Sequence, residues 1–92
     1  MSDRIDSLRV RIDEIDEQLI ALLGRRFVIT NEVGQIKATR AIAAVDPDRE
    51  DAQRKEYARL AASYGVDEAL VQAVFRRVID EVVSNHRALR DH

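Results

Sequence analysis

Apolar residues recur at alternating steps of three and four from residue 5 to residue 36, the heptad pattern of an α-helix that packs along one face. This apolar row consists of Ile5, Leu8, Ile12, Ile15, Leu19, Leu22, Ile29, Val33 and Ile36. Arg26 occupies the heptad position between Leu22 and Ile29. No proline interrupts the segment, and Ser2 and Asp3 precede it as helix-start signals. The pattern predicts one helix over residues 4–39.

The rest of the chain predicts two shorter helices. Residues 38–46 break the periodicity, and Asp46 followed by Pro47 supplies an N-cap and a first helical residue. The second helix is predicted to begin at Pro47 and to stop at Gly65, a suitable residue just after a helix end. Asp67 is the predicted N-cap of the third helix. Its apolar face consists of Val71, Phe75, Val78, Val82, His86 and Leu89.

The predicted fold class is all-α, with three helices in a single domain over residues 1–92. The first helix would be about 50 Å long, whereas a compact globule of this chain length is about 32 Å across. An apolar row of that length cannot stay in water. We therefore expect a second copy of the chain to cover it, giving an intertwined helical homodimer.

The amino-acid composition and the net charge limit the kinds of partner and the compartment that we expect. The chain is 46% hydrophobic and 35% charged, typical of a soluble helical protein, and its formal charge of -2 gives no reason to expect nucleic acid or an anionic membrane. The absence of cysteine excludes disulfides and thiolate metal sites and fits a reducing compartment. No signal peptide or run of about 20 uncharged residues appears. We expect a cytoplasmic protein.

The basic residues along the first helix predict an anion site. Burying the Arg26 guanidinium costs several kcal/mol unless a negative group compensates it, and an anionic ligand would do so. The alternative is a polar residue that fixes the helix register or extends to the rim. Arg9 and Lys37 lie beside the row, about 25 and 16 Å from Arg26 along the helix. Arg9 of a second copy could therefore complete a pocket that Arg9 of the same chain cannot reach.

Other candidates have ordinary structural explanations. Arg49 and Glu50, in the first turn of the second helix, are usually an exposed pair. His86 could pad the helix face or contact a ligand. His86 and His92 are six residues apart and do not share a helix face, so we expect no metal site. With no Ser/His/Asp set and no glycine-rich phosphate loop, the sequence gives no support for hydrolytic or nucleotide-dependent chemistry.

Two stretches carry a family resemblance: "LRVRIDEIDEQLIALLGRRFVITNEVGQIK", residues 8–37, and "DPDRE", residues 46–50. Together they resemble the all-helical chorismate mutases, small intertwined dimers that convert chorismate to prephenate in the shikimate pathway of aromatic amino-acid biosynthesis. The resemblance covers essentially the whole chain. It implies a dianionic small-molecule substrate, no cofactor and two equivalent sites per dimer.

The resemblance also implies a role for each basic residue. Arg26, Lys37, Arg49 and Glu50 of one copy and Arg9 of the other would form each site. Arginine forks suit the two carboxylates of chorismate. Lys37 would donate to the ether oxygen, where charge grows in the transition state. Glu50, with the backbone of Asp46, would accept from the ring hydroxyl.

The third helix departs from the family pattern. Where many bacterial members carry a serine and a glutamine, this chain has Val82 and His86. Val82 cannot donate a hydrogen bond, whereas a ring N–H of His86 could replace the glutamine. An isochorismate pyruvate lyase or an aminodeoxychorismate mutase is therefore an alternative on the same fold. Glu50 favours a mutase over the lyase, whose substrate carries its hydroxyl elsewhere.

Two further alternatives stay open. From another class of protein, a non-catalytic helical dimerisation module would also explain the apolar row, with Arg26 fixing its register. Some short members of the resembled family are stimulated by a partner enzyme, and the sequence does not identify such a partner.

Overall fold

A computed structural model describes residues 2–91, apart from the side chain of Ser2. Three helices account for most of this range: α1 is Ser2–Thr39, α2 is Pro47–Tyr64 and α3 is Glu68–Arg90. Residues 2–91 contain no strand, so the all-α class with three helices is confirmed. His92 lies outside the described residues. No helix within them is both long enough and apolar enough to pass through a membrane.

The end of α1 is a Schellman motif with an unusual residue in it. The backbone N–H of Ile42 donates to Lys37 O at 2.8 Å, and that of Ala41 donates to Ala38 O at 3.3 Å. This pattern places Ala41 at the first position after the helix, in the left-handed conformation with a φ of 56°. Glycine is the usual residue there because a Cβ atom is strained at positive φ.

The ends of α2 follow the sequence signals. The Asp46 carboxylate caps its first turn by accepting from the backbone N–H of Arg49 at 3.1 Å, and Pro47 is the first helical residue. At the other end Gly65 adopts a φ of 66°, the left-handed conformation that glycine reaches without strain. The predicted helix from Pro47 to Tyr64 is therefore confirmed at both ends.

The chain divides into two compact units, one extending to Thr30 and the other beginning at Asn31. The first unit is the N-terminal part of α1. Its apolar row is exposed, with 52–61% of the surface accessible at Ile5, Ile12, Ile15, Leu19, Leu22 and Ile29. The described chain thus leaves this row uncovered, and the homodimer and the single domain over residues 1–92 stay predictions.

In the second unit α2 and α3 pack as an antiparallel hairpin, joined by residues 65–67. The ring of Tyr57 stacks on that of Phe75, with centroids 4.1 Å apart. Ala61 and Val78 are buried. The predicted apolar face of α3 is confirmed, because its members are all buried or half-buried: Val71, Phe75, Val78, Val82, His86 and Leu89.

Candidate functional site

Lys37 closes the connection between α1 and α2. It lies half-buried in the last turn of α1, and its Nζ donates to Ala44 O at 3.4 Å. A second tie comes from Arg90 of α3, whose guanidinium donates to Ile42 O at 2.9 Å. These contacts fix the connection that leads into Asp46 and the first turn of α2.

Asp46 and Arg49 are placed by the start of α2. The Asp46 carboxylate is engaged as the N-cap, and its backbone oxygen accepts from the N–H of Glu50 at 3.0 Å. A carbonyl oxygen has two lone pairs, so one remains for a ligand. The side chain of Arg49 is exposed. Lys37, Asp46, Arg49 and Glu50 therefore surround one connection of the second unit.

Glu50 is linked to α3 by Arg76, a residue that the sequence did not single out. Its side chain is 23% exposed, and its Oε1 accepts from Arg76 Nη2 at 3.0 Å. Arg76 also pairs with Asp80 at 2.7 Å. Hydrogen bonds from Arg76 to the carboxylates of Asp80 and Glu50 raise the pKa of Arg76, so the guanidinium stays charged.

His86 is buried against α1. Only 3% of its surface is accessible. The ring lies against Gly34, where a Cβ atom would lie 2.5 Å from His86 Cδ2 and 3.0 Å from Nε2. The ring can take this position because residue 34 has no side chain. Val82, one turn earlier on α3, is half-buried.

Arg9 and Arg26 belong to the first unit, apart from the six other candidates. Arg9 is exposed and Arg26 is half-buried. Their separation of 17 residues on one helix corresponds to about 25 Å, so the chain does not bring them together. Whether either residue joins a site with the second unit stays a prediction.

Two surface pockets of the second unit share Glu50 and Arg76. One, of about 400 Å³, is lined by Val45, Glu50, Arg76, Asp80, Val83, Ser84 and Arg87. The other, of about 620 Å³, lies along α2 and α3 beside the stacked rings of Tyr57 and Phe75. Both offer a carboxylate acceptor next to a guanidinium, which suits a small polar ligand.

Within residues 2–91, no group of three or more histidine, aspartate or glutamate side chains is placed to hold a metal ion.

Known proteins share the sequence pattern of this chain. Residues 8–87 match the profile of the family described as chorismate mutase type II. The T-protein of Enterobacter agglomerans is 32% identical over 88% of this chain, which spans only 22% of that protein's length. The chorismate mutase of Methanocaldococcus jannaschii is 29% identical over 87% of the chain and 81% of its own length. The isochorismate pyruvate lyase of Pseudomonas aeruginosa is 35% identical over 78% of the chain and 70% of its own length.

The profile match includes every candidate site residue from Arg9 to His86. It confirms the resemblance found in residues 8–37 and 46–50. The chain belongs to the type II chorismate mutase family.

Proposed function

We propose that the chain is a chorismate mutase that rearranges chorismate to prephenate in a basic pocket shared by two copies. The observation that carries the proposal is the arrangement of Lys37, Arg49 and Glu50 around one connection of the second unit. The rearrangement breaks an ether C–O bond and forms a C–C bond within one molecule. No atom enters or leaves, so the protein needs no nucleophile, proton transfer or cofactor.

Each side chain has a task that fits its type. Arg26 and Arg49, with Arg9 of the second copy, bind the two carboxylates of the dianion. Lys37 donates to the ether oxygen, where negative charge develops as the C–O bond breaks. Its hydrogen bond of 3.4 Å to Ala44 O uses one ammonium proton, and within residues 2–91 the others are left for that oxygen. Holding the flexible substrate in its reactive conformer adds an orientation term.

The remaining candidates define the rest of the pocket. Glu50 and the backbone oxygen of Asp46 accept from the ring hydroxyl. His86 supplies a ring N–H on the side where many family members have glutamine, and Val82 contributes apolar surface. The exposed apolar row of α1 supports the second copy, because covering it would also bring in a second Arg9. We propose this homodimer as the active form.

An isochorismate pyruvate lyase is the second candidate function, favoured by the 35% identity to the Pseudomonas protein of that name. The two reactions need different acceptors, because the ring hydroxyl of isochorismate lies at another position. Glu50 supports the mutase. An aminodeoxychorismate mutase would use Glu50 in the same way, with an amine in place of the hydroxyl. A non-catalytic dimerisation module would use none of these groups.

Product analysis separates the four alternatives. Purified protein is incubated in turn with chorismate, isochorismate and aminodeoxychorismate, and the products are identified by chromatography. We expect prephenate from chorismate at the highest kcat/KM. Release of pyruvate from isochorismate as the faster reaction would favour the lyase, and faster turnover of aminodeoxychorismate would favour that mutase. Conversion of none would leave the dimerisation module.

A paired control excludes contaminating host enzyme. Lys37→Gln should abolish most turnover, whereas Arg59→Gln should not, because Arg59 is an exposed residue paired with Glu56 on α2. Equal activity in both variants would show that the turnover does not come from the proposed site.

A further inference from the structure

Arg76 connects α2 to α3 through a single nitrogen. Its Nη2 lies 3.0 Å from Glu50 Oε1 and 2.7 Å from Asp80 Oδ1, and its Nε donates to the same Asp80 oxygen at 3.0 Å. Glu50 and Arg76 are 26 residues apart in the sequence. The adjacent Arg77 pairs instead with Glu81, one turn along its own helix. Arg76 thus forms an ion pair with another helix, whereas the ion pair of Arg77 lies within α3.

Asp80 orients the guanidinium before any ligand arrives. Arg76 Nε donates to Asp80 Oδ1 and Nη2 forms an ion pair with the same oxygen, and these two contacts hold the plane of the guanidinium on α3. Arg76 is 53% exposed, and a pair as exposed as this contributes little to the free energy of unfolding. The Arg76–Asp80 pair therefore acts mainly on geometry: by orienting Arg76, it determines where Glu50 is held.

Of the three residues Glu50, Arg76 and Asp80, Glu50 is the least exposed. Its side chain is 23% exposed, compared with 59% for Asp80. An ionised carboxylate only accepts hydrogen bonds, and the described contact uses one of its two oxygens. Within residues 2–91 the other oxygen, Oε2, is left for a ligand donor. Both pockets include Glu50, so a ligand in either could reach it.

We propose that Arg76 is a positioning residue that holds Glu50 as a fixed acceptor, and that this pair selects substrates with a donor on the facing ring position. The inference rests on the proposed function, in which Glu50 receives the ring hydroxyl. A mobile, solvent-exposed carboxylate would have to be ordered each time a substrate binds. Arg76 contacts no reacting atom and acts only through Glu50.

Steady-state kinetics with chorismate test the inference. Arg76→Gln removes the charge that holds Glu50, and we expect KM to rise about tenfold while kcat changes less than about threefold, because the hydroxyl contact is made in both ground and transition states. Arg77→Gln, the control at the adjacent residue, removes an exposed ion pair within α3 and should leave both constants unchanged. Arg76→Lys should recover part of the loss.

A double-variant cycle distinguishes positioning from a general structural effect. In a Glu50→Gln background, R76Q should change kcat/KM less than about twofold, since Arg76 then has no carboxylate to hold. Additive losses, or an equal loss in R77Q, would overturn the inference. So would normal kinetics of R76Q in a protein that converts chorismate, a result that leaves the proposed function standing. If the unmodified protein converts no chorismate, both proposals fail together.

Discussion

Gly34 and His86 restrict each other at the contact between α1 and α3. The buried ring lies against residue 34, so that position cannot carry a side chain unless the ring moves. Gly24, on the same helix, differs: within the described residues a Cβ there would meet nothing within 4 Å. The two glycines therefore have different reasons to be in a helix, and substitution can tell them apart.

Gly34→Ala should displace His86. The added methyl would lie 2.5 Å from Cδ2, and we expect a loss of about 1–3 kcal/mol in the free energy of unfolding, together with an about tenfold lower kcat/KM. Thermal unfolding and chorismate kinetics measure the two effects. Gly24→Ala is the control and should stabilise α1 slightly. A stable, fully active Gly34→Ala protein would place His86 outside the reaction.

Substitutions of Arg26 and of its neighbour Arg25 test whether Arg26 binds the substrate. Arg26→Met restores an apolar residue to the apolar row, so we expect helix content to be kept while kcat/KM falls by about 100-fold, the effect of losing a charge-assisted bond to a carboxylate. Arg25→Met, at an exposed position one residue away, should retain activity. Circular dichroism and kinetics check both variants. Unchanged activity of Arg26→Met would favour the dimerisation module.

Individual residues were predicted where their signal is local. The burial of His86 and Val82 follows from the period of α3, and the capping role of Asp46 follows from its place before Pro47. Their roles at a site are implied only by the family resemblance. Arg76 was missed because its pair with Asp80, four residues on, has the spacing of an ordinary solvent-facing ion pair. Its second partner, Glu50, comes from another helix, and only tertiary packing brings the two together.

At the scale of elements, helix ends with a local sequence signal were likewise predictable, whereas an end set by tertiary contacts was not. Gly65 and Asp46 are recognisable in the sequence because each supplies the chemistry that a helix end requires. Both predicted ends of α2 are therefore correct. The end of α1 was placed only by the loss of periodicity, since Ala41 carries no end signal. The left-handed conformation of Ala41 is imposed by the connection that follows it, which Lys37 and Arg90 hold.

Ala41→Gly should stabilise the protein. At a φ of 56°, removing the Cβ relieves about 1 kcal/mol of strain, and for a chain of this size that raises Tm by about 5 °C. Ala43→Gly, at an exposed position of the same connection without positive φ, should instead lower Tm slightly by making the unfolded chain more flexible. A lower Tm for Ala41→Gly in thermal unfolding would contradict this account.

At the scale of the whole molecule, the exposed apolar row predicts an obligate partner. Apolar side chains at about half exposure along more than 20 residues are unusual for a monomer, and a second copy would remove them from water. The two-fold arrangement is also the way in which Arg9 could join the remaining site residues. Stability and activity should then depend on the same association.

Dilution and charge insertion test the homodimer. We expect light scattering to give twice the chain mass of 10.5 kDa, and specific activity to fall on dilution below the dissociation constant. Ile15→Glu places a charge in the apolar row and should yield an inactive single chain. Val10→Glu, at a position equally exposed but on the opposite side of the heptad, should leave mass and activity unchanged. A single-chain mass for the unmodified protein would refute the dimer.

The stacked pair of Tyr57 and Phe75 also provides a built-in optical reporter. The chain has no tryptophan and two tyrosines, and Tyr64 is 78% exposed. Near-ultraviolet circular dichroism requires an aromatic ring in a fixed, asymmetric environment, so the tyrosine signal of this protein should come mainly from Tyr57. Loss of that signal while far-ultraviolet dichroism persists would identify a state in which the helices remain but α2 and α3 have separated.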